Sequence, residues 1–411
     1  MREIAAEKVD PFGKFPIKMT PQLEQLYRQC FQRWSGNFKG PERHLFPTSR
    51  YKAAYSAASS DTALFTALLS LVSTQLSVLR GKDMDELTLR LQNQALRLQY
   101  QACQDGNPSD ARIMTALCIM SNHMANSNPQ GILPHMKAIE VFIRQRGGIQ
   151  YLGMEGIIAD NLTYADHTRA IVYNTHPTYE LPLPALDPPK TVKRRLGRGF
   201  HTLFYNTDIG DAMLQACRDT SCLTDIYDRA CKRKETKQES MYFGYLAAVV
   251  EYQLGVLNAQ NHDTGTLEEC LTLALLLINH TVFRNYGQIA PSVPLVEARF
   301  WACFDKIFSH LLGQEDLTDL LLWLAFTGTI TSLRRECPFV DKAIVVLVTI
   351  YSCQKFAPFD DVRTTMDMFV WSAPVQEHQF MKLWQQVLDR VGMPYMEQQQ
   401  QKLKTEESSL S

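Results

Sequence analysis

The sequence predicts an all-α fold, a large irregular multi-helix domain of antiparallel helix pairs, on three observations. Apolar residues recur at helical spacing in segment after segment, each long enough for three or more turns. Many of these segments carry a capping residue before them or a glycine behind them. Glycine and proline together make 39 of 411 residues, below the roughly 12% of average usage, which disfavours a turn-rich all-β architecture.

Residues 1–60 read as an N-terminal arm with one short helix, because Pro11, Gly13, Pro16, Pro21, Gly36, Gly40, Pro41 and Pro47 interrupt any longer element. Thr20, with Pro21 behind it, caps that helix, and Leu23, Leu26, Tyr27 and Phe31 share its face. Residues 61–395 form the helical body. Leu64, Leu68, Leu71, Val72 and Leu79 make the first stripe. Asp83 with Glu86 has the spacing of a capping box, opening a helix that runs Leu87, Leu91, Ala95, Leu98, Ala102. Asn107-Pro108-Ser109 ends it and caps the helix of Ile113, Leu117, Met120 and Met124. A proline-rich connector follows near 177–189 (Pro177, Pro182, Pro184, Pro188, Pro189). Behind it helices are expected near 199–219, 222–235, 240–258, 265–283, 292–312, 316–333, 338–353 and 376–392. Residues 396–411 are polar and lack apolar anchors, and read as a disordered tail.

The fullest signals lie between Pro134 and Gly153. Pro134 suits the first position of a helix, Met136, Ile139, Phe142 and Ile143 form one stripe, and Arg144 and Arg146 place positive charge on the last turn before the Gly147 stop. His135, Arg146, Gly147, Gly148, Leu152 and Gly153, together with the Asp10-Pro11-Phe12…Pro16-Ile17…Thr20-Pro21 arm and Leu320-Leu321-Leu322-Trp323-Leu324-Ala325-Phe326-Thr327-Gly328, give a pattern spanning nearly the whole chain. In the order and spacing of these three stretches the chain resembles the fungus-specific regulatory domain that follows the DNA-binding region of fungal binuclear zinc-cluster transcription factors. The resemblance implies an all-helical regulatory domain, nuclear localisation, contacts with transcriptional proteins or a DNA-binding partner, and room for a small-molecule effector.

The zinc cluster itself is not expected here. Two zinc ions need six thiolates close in sequence with Cys-x2-Cys pairs, whereas Cys217, Cys222 and Cys231 are widely spaced and Cys30, Cys103, Cys118, Cys270, Cys303, Cys337 and Cys353 are scattered. Most read as small hydrophobes in apolar helices. Ten such cysteines and a polar N-terminus point to a reducing compartment, cytosol or nucleus. With 42 basic and 43 acidic residues, the net charge of −1 offers no global field for a polyanion, so direct sequence-specific DNA binding is not expected. The apolar runs at 271–278, 320–333 and 343–351 fall short of a bilayer span or carry threonines, so no membrane is expected.

No catalytic, cofactor-binding or metal residues are assigned. Nucleophile-elbow, zinc-helix and phosphate-loop signatures are missing. Gly197-Arg198-Gly199 begins like a dinucleotide loop but has Thr202 where the third glycine belongs. Asp360-Asp361 reads as capping or solvated rather than metal-binding, and His135 as hydrogen-bonded near a helix start rather than as a proton sensor. Tyr242, Phe243, Tyr245, Tyr252, Trp301, Trp323 and Trp371 could line an effector pocket, with core packing the stronger reading. Lys190, Lys193, Arg194, Arg195 and Arg198, five basic residues in nine, are a nuclear-import candidate set against a solvated helix face. The sequence therefore reads as a transcription regulator without its own DNA-reading cluster, a stand-alone modulator or part of a longer product. The alternative is a helical enzyme or scaffold of fungal secondary metabolism.

Overall fold

The computed structural model describes residues 15–34, 49–79, 82–104, 109–126, 128–179, 186–192, 195–283, 292–312, 314–329, 339–354 and 359–392. Among them are sixteen α-helices and no strand. In chain order these are α1 Pro21–Trp34, α2 Ser49–Ser60, α3 Thr62–Leu79, α4 Glu86–Gln104, α5 Asp110–Ala125, α6 Pro129–Arg146, α7 Ile157–Tyr173, α8 Arg198–Asn206, α9 Asp211–Cys231, α10 Lys237–Gln260, α11 Leu267–Ile278, α12 Ser292–Leu312, α13 Thr318–Gly328, α14 Phe339–Gln354, α15 Phe359–Met366 and α16 Ala373–Arg390. The described residues divide into two compact units: the first holds those up to Ala170 with 177–179 and Leu186, the second holds 171–176 and those from Asp187 onward.

In the first unit α3 is the hub, packed by α1, α2, α4 and α5. Every residue from Leu64 to Thr74 is buried, the mark of a helix enclosed on all sides. Its start is fixed by Asp61, whose Oδ1 accepts the Leu64 N–H at 2.8 Å. The polar groups on so enclosed a helix need partners: Ser70 Oγ accepts from Asn122 Nδ2 at 3.0 Å, and Ser73 and Thr88 share a 2.6 Å bond. Phe15 stacks its edge on Tyr27 at 4.9 Å and lies 5.6 Å from Phe65, so this part of the predicted arm is seated on the core. Thr20 Oγ1 accepts the Leu23 N–H and Ser109 Oγ the Arg112 N–H, the two caps that the sequence predicts.

Two predicted starts are corrected. The cap of α4 is Asp85 rather than Asp83, with Oδ1 accepting the Thr88 N–H at 2.8 Å and the Thr88 hydroxyl at 2.6 Å. Asp85 directly precedes the first helical residue, so its carboxylate reaches the third N–H, while Glu86 turns outward to Arg90. Helix α6 starts at Pro129, leaving Pro134 inside it. Asn128 offers an acceptor, taken by the Gly131 N–H at 3.2 Å, whereas Leu133 before Pro134 has none to offer.

In the second unit α11 and α13 are the enclosed helices, buried from Glu269 to Ile278 and from Leu320 to Gly328. Successive helices pack as neighbours: α9 on α10, α11 on α12, α13 on α14, and α16 back on α14. The helix expected at 199–219 is two, because Thr207 is extended and Gly210 supplies an extended N-cap. The segment expected at 222–235 continues α9 without a break. Helix α11 passes into a π-turn at Asn279–Phe283 that contacts α9 and α10.

Helix α10 opens with a reciprocal capping box. Glu239 N–H donates to Thr236 Oγ1 at 3.2 Å and Thr236 N–H donates back to Glu239 Oε2 at 2.7 Å. Glu239 Oε1 also accepts from Thr191 and from Arg229 Nη1. Burial pushes the Glu239 carboxyl up, but the Thr191 and Thr236 hydrogen bonds and the Arg229 charge outweigh it and hold the group below its ordinary value. A depressed carboxyl contributes stability that is present above the unfolded value, about 4.3, and is lost as pH falls through the folded one. Glu239→Gln is therefore expected to destabilise the second unit by about 2 kcal/mol at pH 7. Urea denaturation across pH should show that gap closing below about pH 4; a gap constant with pH would refute the charge argument.

Candidate functional site

The resemblance motif builds a joint within the first unit. Gly147 takes φ +88°, a backbone open to glycine, and Gly148 N–H returns to Ile143 O at 3.0 Å, the Schellman closure. Arg146 then reaches Asp110 Oδ1 at 3.0 Å and the Tyr151 carbonyl at 3.2 Å. Gly153 N–H donates to the same Asp110 at 3.4 Å, and a Cβ on Gly153 would lie 1.8 Å from Asp110 Oδ2. Leu152 is buried in the core. Arg146 and Gly153 thus clasp the first turn of α5 from the end of α6.

His135 does not stand at the helix start but in the second turn of α6, stacked on His123 at 5.3 Å. Burial first, and the His123 ring second, push it down to about 4. It stays neutral at physiological pH, which suits packing rather than proton sensing. Of the other candidates, Tyr242, Phe243, Trp301 and Trp323 are enclosed core side chains. Asp360 and Asp361 sit in the first turn of α15, where carboxylates favour the helix dipole.

The basic run has a different setting from the one its sequence suggests. Lys193 and Arg194 lie outside the described residues; Lys190, Arg195 and Arg198 are exposed. Arg195 and Arg198 line a groove of about 880 Å³ within the second unit, with Leu196, His201, Gln215, Arg218, Thr364, Asp367 and Met368. Gly197 and Gly199 make that groove possible. A Cβ on Gly197 would lie 2.2 Å from the Met368 carbonyl, and one on Gly199 2.4 Å from the Phe369 ring, so α8 can approach the 366–370 turn this closely with glycine alone. The Gly199 N–H donates to Met368 O at 3.0 Å across the contact. The paired glycines that resemble the start of a dinucleotide loop are spacers between helix and turn. Gln215 and Arg218, one turn apart on α9, supply the facing wall. Arg218 stands apart from the charge run because it belongs to α9, and His201 lies one turn beyond Arg198 on α8.

Two further polar centres are structural. Glu251 and His280 approach to 3.7 Å and are both enclosed, the histidine inside the π-turn. His262, Asp263 and Glu269 bring three ligand-type atoms within 4.8 Å of one another. Glu269 is already engaged, accepting the Asp263 and Gly265 N–H groups at 3.0 and 2.8 Å, with Arg299 at 3.8 Å. Arg299 Nη2 also lies 3.3 Å from His262 Nδ1. That guanidinium opposes a cation, so the cluster braces the turn before α11. Thiolate chemistry fits no better: Cys217 and Cys222 are fully buried on α9, and burial pushes the Cys217 thiol far up.

Residues 45–239 match the family model of the fungal specific transcription factor domain. Neither curated proteins nor solved structures give a match to the chain. The matched span runs through the α5–α6 joint, the glycine spacers and Arg218, and ends at Glu239 of the α10 capping box. No helix among the described residues is long and apolar enough to cross a membrane.

Proposed function

We propose, from the match of residues 45–239 to the fungal specific transcription factor domain, a family of transcription regulators, that the chain controls transcription in the nucleus by contact with other proteins. The family match carries this reading. These 411 residues act without a zinc-cluster reader of their own and reach DNA through a partner, with a small-molecule effector shifting the conformational equilibrium. Supporting it, the chain's net charge of −1 offers no global positive field for a duplex. Lys190, Lys193, Arg194, Arg195 and Arg198 serve nuclear import.

An enzyme or scaffold of fungal secondary metabolism would call for acids or histidines facing each other in an accessible cavity. The groove instead gathers arginines around an apolar floor, and its lining acid, Asp367, accepts the Trp371 indole N–H at 2.7 Å. That lining suits binding better than turnover. Chromatin occupancy of the tagged protein, with recovery of what co-purifies, is the decisive measurement. The expected result is enrichment at discrete loci together with transcriptional proteins, and reduced nuclear accumulation on charge reversal of Arg194 and Arg195. Absence from both chromatin and transcriptional complexes overturns the proposal; unchanged accumulation removes the import element.

A further inference from the structure

We propose that the groove between α8, α9 and the 366–370 turn is an oxyanion-binding site for a small organic anion that bears carboxylates or a phosphate on an apolar body. Arg195 from the segment before α8, Arg198 from the first turn of α8 and Arg218 from α9 all line it, with His201 beside them. Among the described residues none of the three arginines holds an ion pair, whereas Arg169, Arg229, Arg299 and Arg363 each sit on a carboxylate. A guanidinium fork is suited to bidentate binding of planar carboxylate or of phosphate, and three of them around one hollow create a local positive field that the whole chain lacks. Leu196 and Met368 give the hollow an apolar floor, while Gln215 and Thr364 add neutral hydrogen-bonding groups. A volume of about 880 Å³ falls within the range of small-molecule sites. Arg198 also stands at the first turn of α8, where the helix dipole favours an anion.

Nuclear import asks only for exposed charge, which the same run offers, and does not account for the rest of this arrangement. Glycine spacers that hold α8 against the turn, and an arginine recruited from α9, organise the groove in three dimensions. As the seat of effector sensing the groove rests on the regulator reading; as an oxyanion site it stands on its own geometry.

The test is calorimetric titration of the full chain with citrate and with inorganic pyrophosphate, at physiological ionic strength, where loose surface association is screened. Saturable one-to-one binding is expected with a Kd below about 1 mM for at least one probe. Citrate binding alone marks a carboxylate site, pyrophosphate alone a phosphate site. Arg198→Gln with Arg218→Gln should weaken it at least about tenfold, the loss of two charge-assisted contacts. Lys232→Gln with Lys234→Gln, in a basic run outside the groove, should leave it unchanged. Gln215→Glu keeps all the arginines and should weaken binding by adding a second carboxylate to a lining that already holds Asp367, which guards against a folding defect in the double variant. Failure of both probes to saturate, equal loss in the lysine control, or tighter capture of duplex DNA or a polyglutamate peptide overturns the proposal. Binding without chromatin occupancy sinks the regulator reading alone; occupancy without binding sinks the groove alone.

Discussion

Asp166→Ala is expected to destabilise the first unit by about 3–5 kcal/mol, the cost of stranding a buried charge without its partner. The Asp166 side chain has no exposed surface, and both its oxygens are committed. Oδ1 accepts from Arg169 Nε at 3.1 Å and Nη2 at 2.8 Å. Oδ2 accepts the backbone N–H groups of Thr178 and Tyr179 at 2.5 and 2.9 Å. Removing the carboxylate takes from the Arg169 guanidinium, 13% exposed, its ion-pair partner, leaving the neutral Thr178 hydroxyl at 3.0 Å as an acceptor, and takes from two backbone donors the acceptor that holds 177–179 against α7. Asp166→Asn should cost less, since it retains an acceptor but presents an amide to donors. Urea denaturation gives the magnitude, and hydrogen exchange at the Thr178 and Tyr179 amides gives the location, with exchange there rising well above that of α3. A loss under about 1 kcal/mol, or unchanged exchange at 178–179, would show that the segment is held by something other than this carboxylate.

Helical periodicity carried most of this fold because the core helices bury one wide face or all faces, and apolar spacing reports burial directly. Helix α12 falls on 292–312, the predicted span. Errors collect where two residues of the same chemistry compete for one role. Asp83 and Asp85 are both capping types, and Pro129 and Pro134 are both acceptable first-turn prolines; which of them acts depends on adjacency to the first buried turn. Thr236-x-x-Glu239 is a capping-box signature in plain sequence, but it lies ahead of the apolar stripe that starts at Tyr242. The break at 207–210 was hidden because apolar residues resume at Met213 in near-helical phase.

The groove was half legible. Arg195 and Arg198 stand out as charge, but charge density in a sequence cannot distinguish a solvated run from a concave wall. What makes the difference is Arg218 on α9 and Met368 after α15, brought to the same place by packing across long stretches of chain. Gly197 and Gly199 announce a close backbone approach without saying to what. Their partner, the 366–370 turn, is defined by tertiary contacts that no local pattern encodes.

That turn depends on Trp323, and Trp323→Ala is expected to cost the second unit about 3–5 kcal/mol. The indole is completely buried in α13, within the Leu320–Gly328 stretch of the resemblance. Its Nε1 donates to the Val370 carbonyl at 2.8 Å, while its ring stacks on Phe369 at 5.4 Å and meets the edge of Phe200 at 5.5 Å. Phe200 and Phe369 touch in turn at 5.2 Å, so one aromatic triad joins α8, α13 and the turn that carries Met368. Alanine empties the centre of the triad and leaves Val370 without its donor. Two sides of the groove, α8 and the 366–370 turn, are anchored there, so the variant should also weaken citrate or pyrophosphate binding, even at temperatures where circular dichroism shows the helices intact. Trp323→Phe separates the two effects: it restores most of the ring contact but not the hydrogen bond, and should cost about 1–3 kcal/mol for the orphaned carbonyl and lost volume. If Trp323→Ala lowers stability as expected and leaves anion binding at full strength, the triad supports the core alone and the groove is held by the glycine contacts.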